Sequence, residues 1–294
     1  MSWKNIKLNI EDNIAVVMLS RPEKMNALTA EMILEYVDVL DRCDSNDEVK
    51  AVIVTGDGRA FCAGADISGG SESFADVSND DALNPDGSIN YSAEAVRDVG
   101  GFITLRLYDM KKPVIGAVNG AAVGAGSTML LPMDYRIASD KAKFGFVFAR
   151  RGIVPESASS FFLPRLVGIS QAVDWCMTGR VFGPQEALEG GLISNICSPE
   201  TLLECAHTIA RDIIDNTSPV SVALTRQMLW KSLGWSHPMD AHKLESRSVF
   251  SRSTSADAQE GVASFLEKRP AKYPQSVAKD MPDFYPWWEP AQYD

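Results

Sequence analysis

Two short stretches, AVIVT at Ala51–Thr55 and VIGAV at Val114–Val118, carry almost no polar side chain. Runs this short and this apolar predict strands covered on both faces, because a half-exposed strand would alternate with polar residues. The first is followed by a Gly56-Asp57-Gly58 turn, and the second by a glycine-rich turn and an apolar helix near Gly126–Met133. Around them, Ile6–Ile10 and Ile14–Leu19 predict a hairpin through Glu11-Asp12-Asn13. Met32, Ile33, Tyr36, Val37 and Leu40 give Thr29–Cys43 the spacing of a helix, and Ala93–Met110 repeats that spacing. Tyr135–Ser139 and Gln185–Leu192 continue the alternation. The result is a mixed α/β body over residues 1–200.

Beyond about Ser198 only helical spacing remains, at Thr201–Asp215, Pro219–Trp230, His237–Ser251 and Ala256–Glu267. Residues 201–270 therefore form an all-helical region. Residues 271–294 form an extended tail rich in proline and aromatics, in which Trp287 and Trp288 seek burial. One internal segment, 68–90, is dominated by Ser, Asp, Asn and Gly and reads as a mobile loop inserted in the body.

A net charge of −11 argues against a nucleic-acid-binding surface, which needs clustered Lys and Arg, but leaves room for an anionic ligand held locally. The five cysteines are scattered and never spaced CxxC, which fits a reduced cytoplasm. The three histidines form no ligand cluster, so no metal is expected. No apolar run reaches about 18 residues and no secretory core opens the chain, so no membrane partner is expected.

Chemistry concentrates in three places. FCAGADI (Phe61–Ile67) and KPVIGAVNGAAVGAGSTMLLPMD (Lys112–Asp134) put small residues at strand ends. Such turns either present free N–H groups to a carbonyl oxygen or let helix pack tightly on strand, and both readings need Gly and Ala. In GIVPESASSFFLPRLVG (Gly152–Gly168), Glu156 is either an acid in the first turn of a helix or a catalytic acid/base in an apolar setting. Phe144, Phe148, Phe161 and Phe162 either line a pocket or fill the core.

RPEKMNAL, FCAGADI, KPVIGAVNGAAVGAGS, FGFVFARRGIVPE and TGRVFGPQEALEGGL, with FLEKRPAKY near the end, stand in the order and spacing of the crotonase family, the enoyl-CoA hydratase/isomerase superfamily. The chain resembles that family from about Trp3 to Lys272. The resemblance implies a spiral of repeated ββα units with a C-terminal helical trimerisation region, assembled as a homotrimer or dimer of trimers. It implies an acyl-CoA thioester as substrate, with no separate cofactor. The thioester oxygen would lie between the N–H groups of Ala65 and Ala125, with Gly124 as second donor if the register slips by one. Lys24, Met25, Ala63, Asp66 and Ile67 match positions that line coenzyme A, and Lys268 matches a lysine that reaches its phosphates, in some cases from a neighbouring subunit. Asp66 also reads as a turn cap.

The chain departs from the family's hydratases at two places. Their two glutamates correspond to Thr128 and Phe148, neither of which serves as a general base. Glu156 matches an acid carried by isomerase branches of the family. One carboxylate is enough to move a proton between two carbons, so the resemblance implies a double-bond isomerase. The alternatives are a 2-enoyl-CoA hydratase with an atypical acid set, assisted by a loop acid such as Glu72 or Asp76, and a non-catalytic acyl-CoA-binding relative. For Glu156, apolar burial and a helix N-terminus act in opposite directions on its proton affinity.

Overall fold

The two apolar runs are the central strands of a six-stranded sheet. This emerges from a computed structural model that describes residues 3–70 and 80–293. Strands β1 (Ile6–Glu11), β2 (Ile14–Leu19), β3 (Ala51–Gly56), β5 (Val114–Val118), β7 (Tyr135–Ser139) and β10 (Asn195–Cys197) lie side by side in that order. All neighbours are parallel except the β1–β2 hairpin, whose turn places Asp12 and Asn13 at φ 49° and 66°, the left-handed geometry that suits a two-residue hairpin. Alternate residues of β3 and β5 enter two cores. Val52, Val54, Val114 and Val118 face one that includes helix α1 (Ala30–Ser45), while Ala51, Ile53, Ile115 and Ala117 face helix α7 (Leu202–Asn216) through Leu202, Ala206 and Ala210. Both faces are buried, which is why the strands show no polar alternation.

After each of β3, β5 and β7 the chain adds one short strand to a second sheet: β4 (Ala60–Cys62), β6 (Ala121–Val123) and β8 (Lys143–Gly145), with β9 (Val181–Phe182) antiparallel at the edge. Helices α2 (Gly100–Asp109), α3 (Ala125–Thr128) and α4 (Ser159–Val167) follow these pairs, so the ββα unit repeats. The ends of β4 and β6, side by side, are where the small-residue motifs fall.

Helices α5 (Ile169–Thr178) and α6 (Pro184–Glu189) precede β10, and the C-terminal helices are α7, α8 (Pro219–Ser232), α9 (Pro238–Ser253) and α10 (Ala256–Glu267). The tail then runs without regular structure, and Tyr285, Trp287 and Trp288 pack edge to face at 5.0–5.7 Å.

Three expectations change. The helix expected over Ala93–Met110 begins only at Gly100, after a single 3-10 turn at Glu94–Val96, because the Asp98 carboxylate accepts the Gly100 N–H at 2.9 Å and starts the helix there. The helix expected over Gly126–Met133 is the single turn of α3, after which the chain passes through turns to Pro132. Of the segment 68–90, residues 80–90 are locally ordered, with a turn at Asp80–Ala82 and a Leu83–Ile89 bridge. Glu72 and Asp76 lie outside the described residues.

Candidate active site

At the end of β4 the chain lies along the RPEKMNAL segment. Ala63 N–H donates to Met25 O (3.0 Å), Leu28 N–H to Gly64 O (2.8 Å) and Asp66 N–H to Leu28 O (2.8 Å). This parallel ladder uses the carbonyl before Ala65 and the amide after it, so the N–H of Ala65 points to the opposite side. Gly64 makes the bend at φ 103°, and a Cβ there would stand 2.8 Å from Val123 O and 3.7 Å from Ala125 N. The two small-residue turns therefore touch.

At the end of β6, Gly124 (φ 56°) spends its own N–H on Gly145 O at 2.8 Å, so it is not free to donate to a ligand. Ala125 is the first residue of α3, where an N–H has no partner within the helix. Tight packing is satisfied as well: a Cβ on Gly126 would stand 2.0 Å from Cys62 O. The small residues thus serve both readings at once. Phe148, buried, approaches within 4.0 Å of the Cβ position of Gly124.

Glu156 is not in the first turn of a helix. It precedes α4 by three residues, and Ser157 and Ala158 between them are both left-handed (φ 56° and 52°). Its carbonyl accepts the Ser159 N–H (3.0 Å) and hydroxyl (2.6 Å), which closes the turn. Its carboxylate accepts the Thr128 hydroxyl on Oε1 at 2.6 Å and the Ser157 hydroxyl on Oε2. Burial lifts its proton affinity above the ordinary carboxylate range and the Asp98 charge adds to the lift, against the opposing pull of the Ser157 and Thr128 hydrogen bonds.

Three residues of this cluster escaped the sequence reading. Thr128, dismissed there as a base, is a fully buried hydrogen-bond donor to Glu156. Asp98 accepts the Ser157 N–H on Oδ2. Gly100 lets the two segments meet, since a Cβ there would lie 2.1 Å from Ser157 Oγ and 2.3 Å from Glu156 Oε2. The Asp-Val-Gly-Gly run was the only local signal, and it marks a helix start without saying what approaches it.

Of the coenzyme A candidates, Lys24, Met25, Ala63, Asp66 and Ile67 share the ladder region. Lys24 and Ile67 are exposed, and Met25 and Asn26 take left-handed backbone angles. Asp66 caps the turn through the Ser68 N–H (3.1 Å) and pairs with Arg21 at 3.0 Å; its bonds from Ser68, then Arg21, hold its carboxyl down to about 2. Lys268 ends α10 in the left-handed conformation, hydrogen-bonded to Phe265 O, and the contacts described for it are with its own helix rather than with this ladder. Phe144 stacks on Phe182 in the core, whereas Phe161 is half-buried with the Arg165 guanidinium 3.8 Å over its ring.

The enoyl-CoA hydratase/isomerase family description matches residues 9–276. The chain is 40% identical over 279 residues to enoyl-CoA hydratase ACTT3 of Alternaria alternata, covering 94% of this chain and 88% of that one. It is 31% identical over 268 residues to 1,2-epoxyphenylacetyl-CoA isomerase of Escherichia coli strain K12, covering 90% and 96%. The crystal structure of an enoyl-CoA hydratase from Bacillus anthracis aligns with a TM-score of 0.78 at 28% identity, covering 92% and 99%. The chain belongs to the enoyl-CoA hydratase/isomerase family and has the crotonase fold. It is an acyl-CoA enzyme of that family, among whose relatives hydratase is the commoner name.

Proposed function

We propose that this chain isomerises a 3-enoyl-CoA to the 2-enoyl-CoA. Glu156 moves the proton, and the Ala65 and Ala125 N–H groups hold the thioester oxygen. The reading rests on one observation: the half-buried Glu156 carboxylate accepts the Thr128 hydroxyl just beyond the Gly124 turn, and by the family resemblance Thr128 and Phe148 stand where hydratases carry their two glutamates.

In the first step the Glu156 carboxylate removes a proton from C2, and the C–H electrons form a dienolate whose oxygen accepts from the two N–H groups. In the second, the carboxylic acid returns the proton to C4. The C3–C4 double bond moves to C2–C3 and the thioester carbonyl re-forms. A raised proton affinity strengthens Glu156 as the base of the first step. Lys24, Met25, Ala63, Asp66 and Ile67 would line coenzyme A. Lys268 would reach its phosphates from a neighbouring subunit of a trimer or dimer of trimers, with residues 201–270 as the trimerisation region.

A second reading, hydration of a 2-enoyl-CoA, is favoured by the hydratase names of the relatives. Purified protein discriminates the two. Isomerisation of a 3-enoyl-CoA without hydration of crotonyl-CoA supports the first, hydration supports the second, and acyl-CoA binding without either reaction defeats both. Glu156→Gln is expected to abolish isomerisation while holding acyl-CoA affinity within about tenfold, or about 1.4 kcal/mol. Retained turnover would remove Glu156 from the proposed role.

A further inference from the structure

We infer that Asp98 is a positioning residue of this site: it holds the left-handed turn that aims Glu156 and sets a second negative charge beside that carboxylate. The inference rests on the proposed role of Glu156 for its catalytic meaning, though not for its geometry.

Two consecutive non-glycine residues in the left-handed region are strained and persist only where their surroundings hold them. At Ser157–Ala158 the hold comes from two sides. The Glu156 carbonyl accepts from Ser159, and Asp98 Oδ2 accepts the Ser157 N–H across 59 residues of sequence. The same Ser157 donates its hydroxyl to Glu156 Oε2, so Asp98 reaches the reacting carboxylate through a single residue. Asp98 Oδ1 is meanwhile fixed by the Gly100 N–H at 2.9 Å. Asp98 Oδ1 and Glu156 Oε2 lie 3.2 Å and 2.3 Å from the point where a Cβ would stand on Gly100. Only glycine leaves room for the two carboxylates to face each other.

The titratable or charged groups that face Glu156 are few. Asp98 approaches from ahead of α2, and Cys62 from β4, its thiol pushed by burial to about 12. From α3 and from its own loop Glu156 meets the uncharged hydroxyls of Thr128 and Ser157. Asp98 is thus the one neighbouring negative charge among the described residues that raises the proton affinity of Glu156. Its outer side is exposed, so solvent screens that charge and the hydrogen bond to Ser157 carries the larger part of its effect.

The test is a pair of variants, Asp98→Asn and Asp98→Ser, each keeping one neutral acceptor for the Gly100 N–H. The first readout needs no turnover. The infrared carbonyl band of protonated Glu156, assigned by its absence in Glu156→Gln, is followed against pH. It is expected to titrate at lower pH in both Asp98 variants. The second readout is kinetic: kcat falls about tenfold or more through misaim of the base, KM stays within about threefold, and the acid limb of the pH profile moves to lower pH. Unchanged Glu156 titration would overturn the inference, as would an unchanged kcat. Should Glu156→Gln keep its turnover while the Asp98 variants still shift the Glu156 band, the pairing stands and the proposed base fails.

Discussion

Thr128 and Glu156 meet at 2.6 Å, and that contact shows how little a single position means on its own. Read as a replacement for a glutamate, Thr128 is a loss. Read with its partner, it is a hydroxyl that stabilises the charged form of a buried base, opposing the lift that burial imposes. The same hydroxyl lies 3.3 Å from Ala125 O, so once Glu156 takes up a proton and becomes a donor, Thr128 can accept from it and turn its own proton to that carbonyl. Thr128→Val keeps the shape and removes the donor. Because hydrogen bonding to the carboxylate lowers its proton affinity, removing it raises that affinity further, and the base form is reached only at higher pH. The acid limb of kcat/KM is expected to move upward in Thr128→Val, with activity at pH 7 down roughly tenfold. This is opposite in direction to the Asp98 variants. A pH profile that stays in place, or moves down, would refute the assignment of Thr128.

At the scale of elements, the side of the site proposed for acyl-CoA is a loop held to a strand, and Asn26 does the holding. It is fully buried at φ 55°, accepts the Arg21 N–H (2.8 Å), and donates to Asp57 O (2.9 Å) and Ala60 O (2.8 Å). Asn tolerates the left-handed region better than most residues and carries both a donor and an acceptor, so no other common side chain meets all three demands. Asn26→Ala leaves the Arg21 N–H and the Asp57 carbonyl unpaired and Ala60 O with only its Asn119 bond at 3.3 Å, and is expected to cost roughly 3 kcal/mol at fixed protein concentration, read from the urea midpoint. KM for the acyl-CoA should rise with it, since Met25 and Ala63 lose their shared anchor. A loss below about 1 kcal/mol would show the ladder to be self-supporting. The sequence announced these elements unevenly. Buried strands β3 and β5 and helices α1 and α7–α10 are long enough for their periodicity to show. Strands β4, β6, β8 and β9, of two or three residues each, are too short for any period. The small-residue turns around Ala65 and Ala125 were visible because strand and turn are adjacent in sequence, whereas the donor role of those two residues was implied by the family resemblance alone. The Asp98–Ser157 bond was not, because it joins two loops whose approach only the folded ββα spiral decides.

For the whole molecule, the strongest unmet demand is on the C-terminal helices. Val262, Phe265 and Leu266 of α10, spaced to share one face, are 62%, 82% and 73% exposed, while Val249 and Phe250 of α9 are 68% and 79% exposed. Apolar side chains exposed in this number on a chain of net charge −11 are what the proposed trimer or dimer of trimers would cover. Lys268 caps the same helix two residues beyond Leu266, so a neighbour covering this face would lie close to it. Light scattering on the purified chain is expected to give three or six times 32.0 kDa. A charge in each apolar group, Phe250→Glu with Phe265→Glu, should reduce that mass to 32.0 kDa. If Lys268 serves a neighbour's coenzyme A, the dissociated chain should also bind acyl-CoA about tenfold more weakly, the scale of one charge-assisted contact of about 1.4 kcal/mol. Its circular dichroism should stay unchanged, because these side chains contribute little to the cores formed around β3 and β5. A wild-type mass of 32.0 kDa at micromolar concentration would instead leave the apolar face to a different partner and return Lys268 to the role of a solvated surface charge.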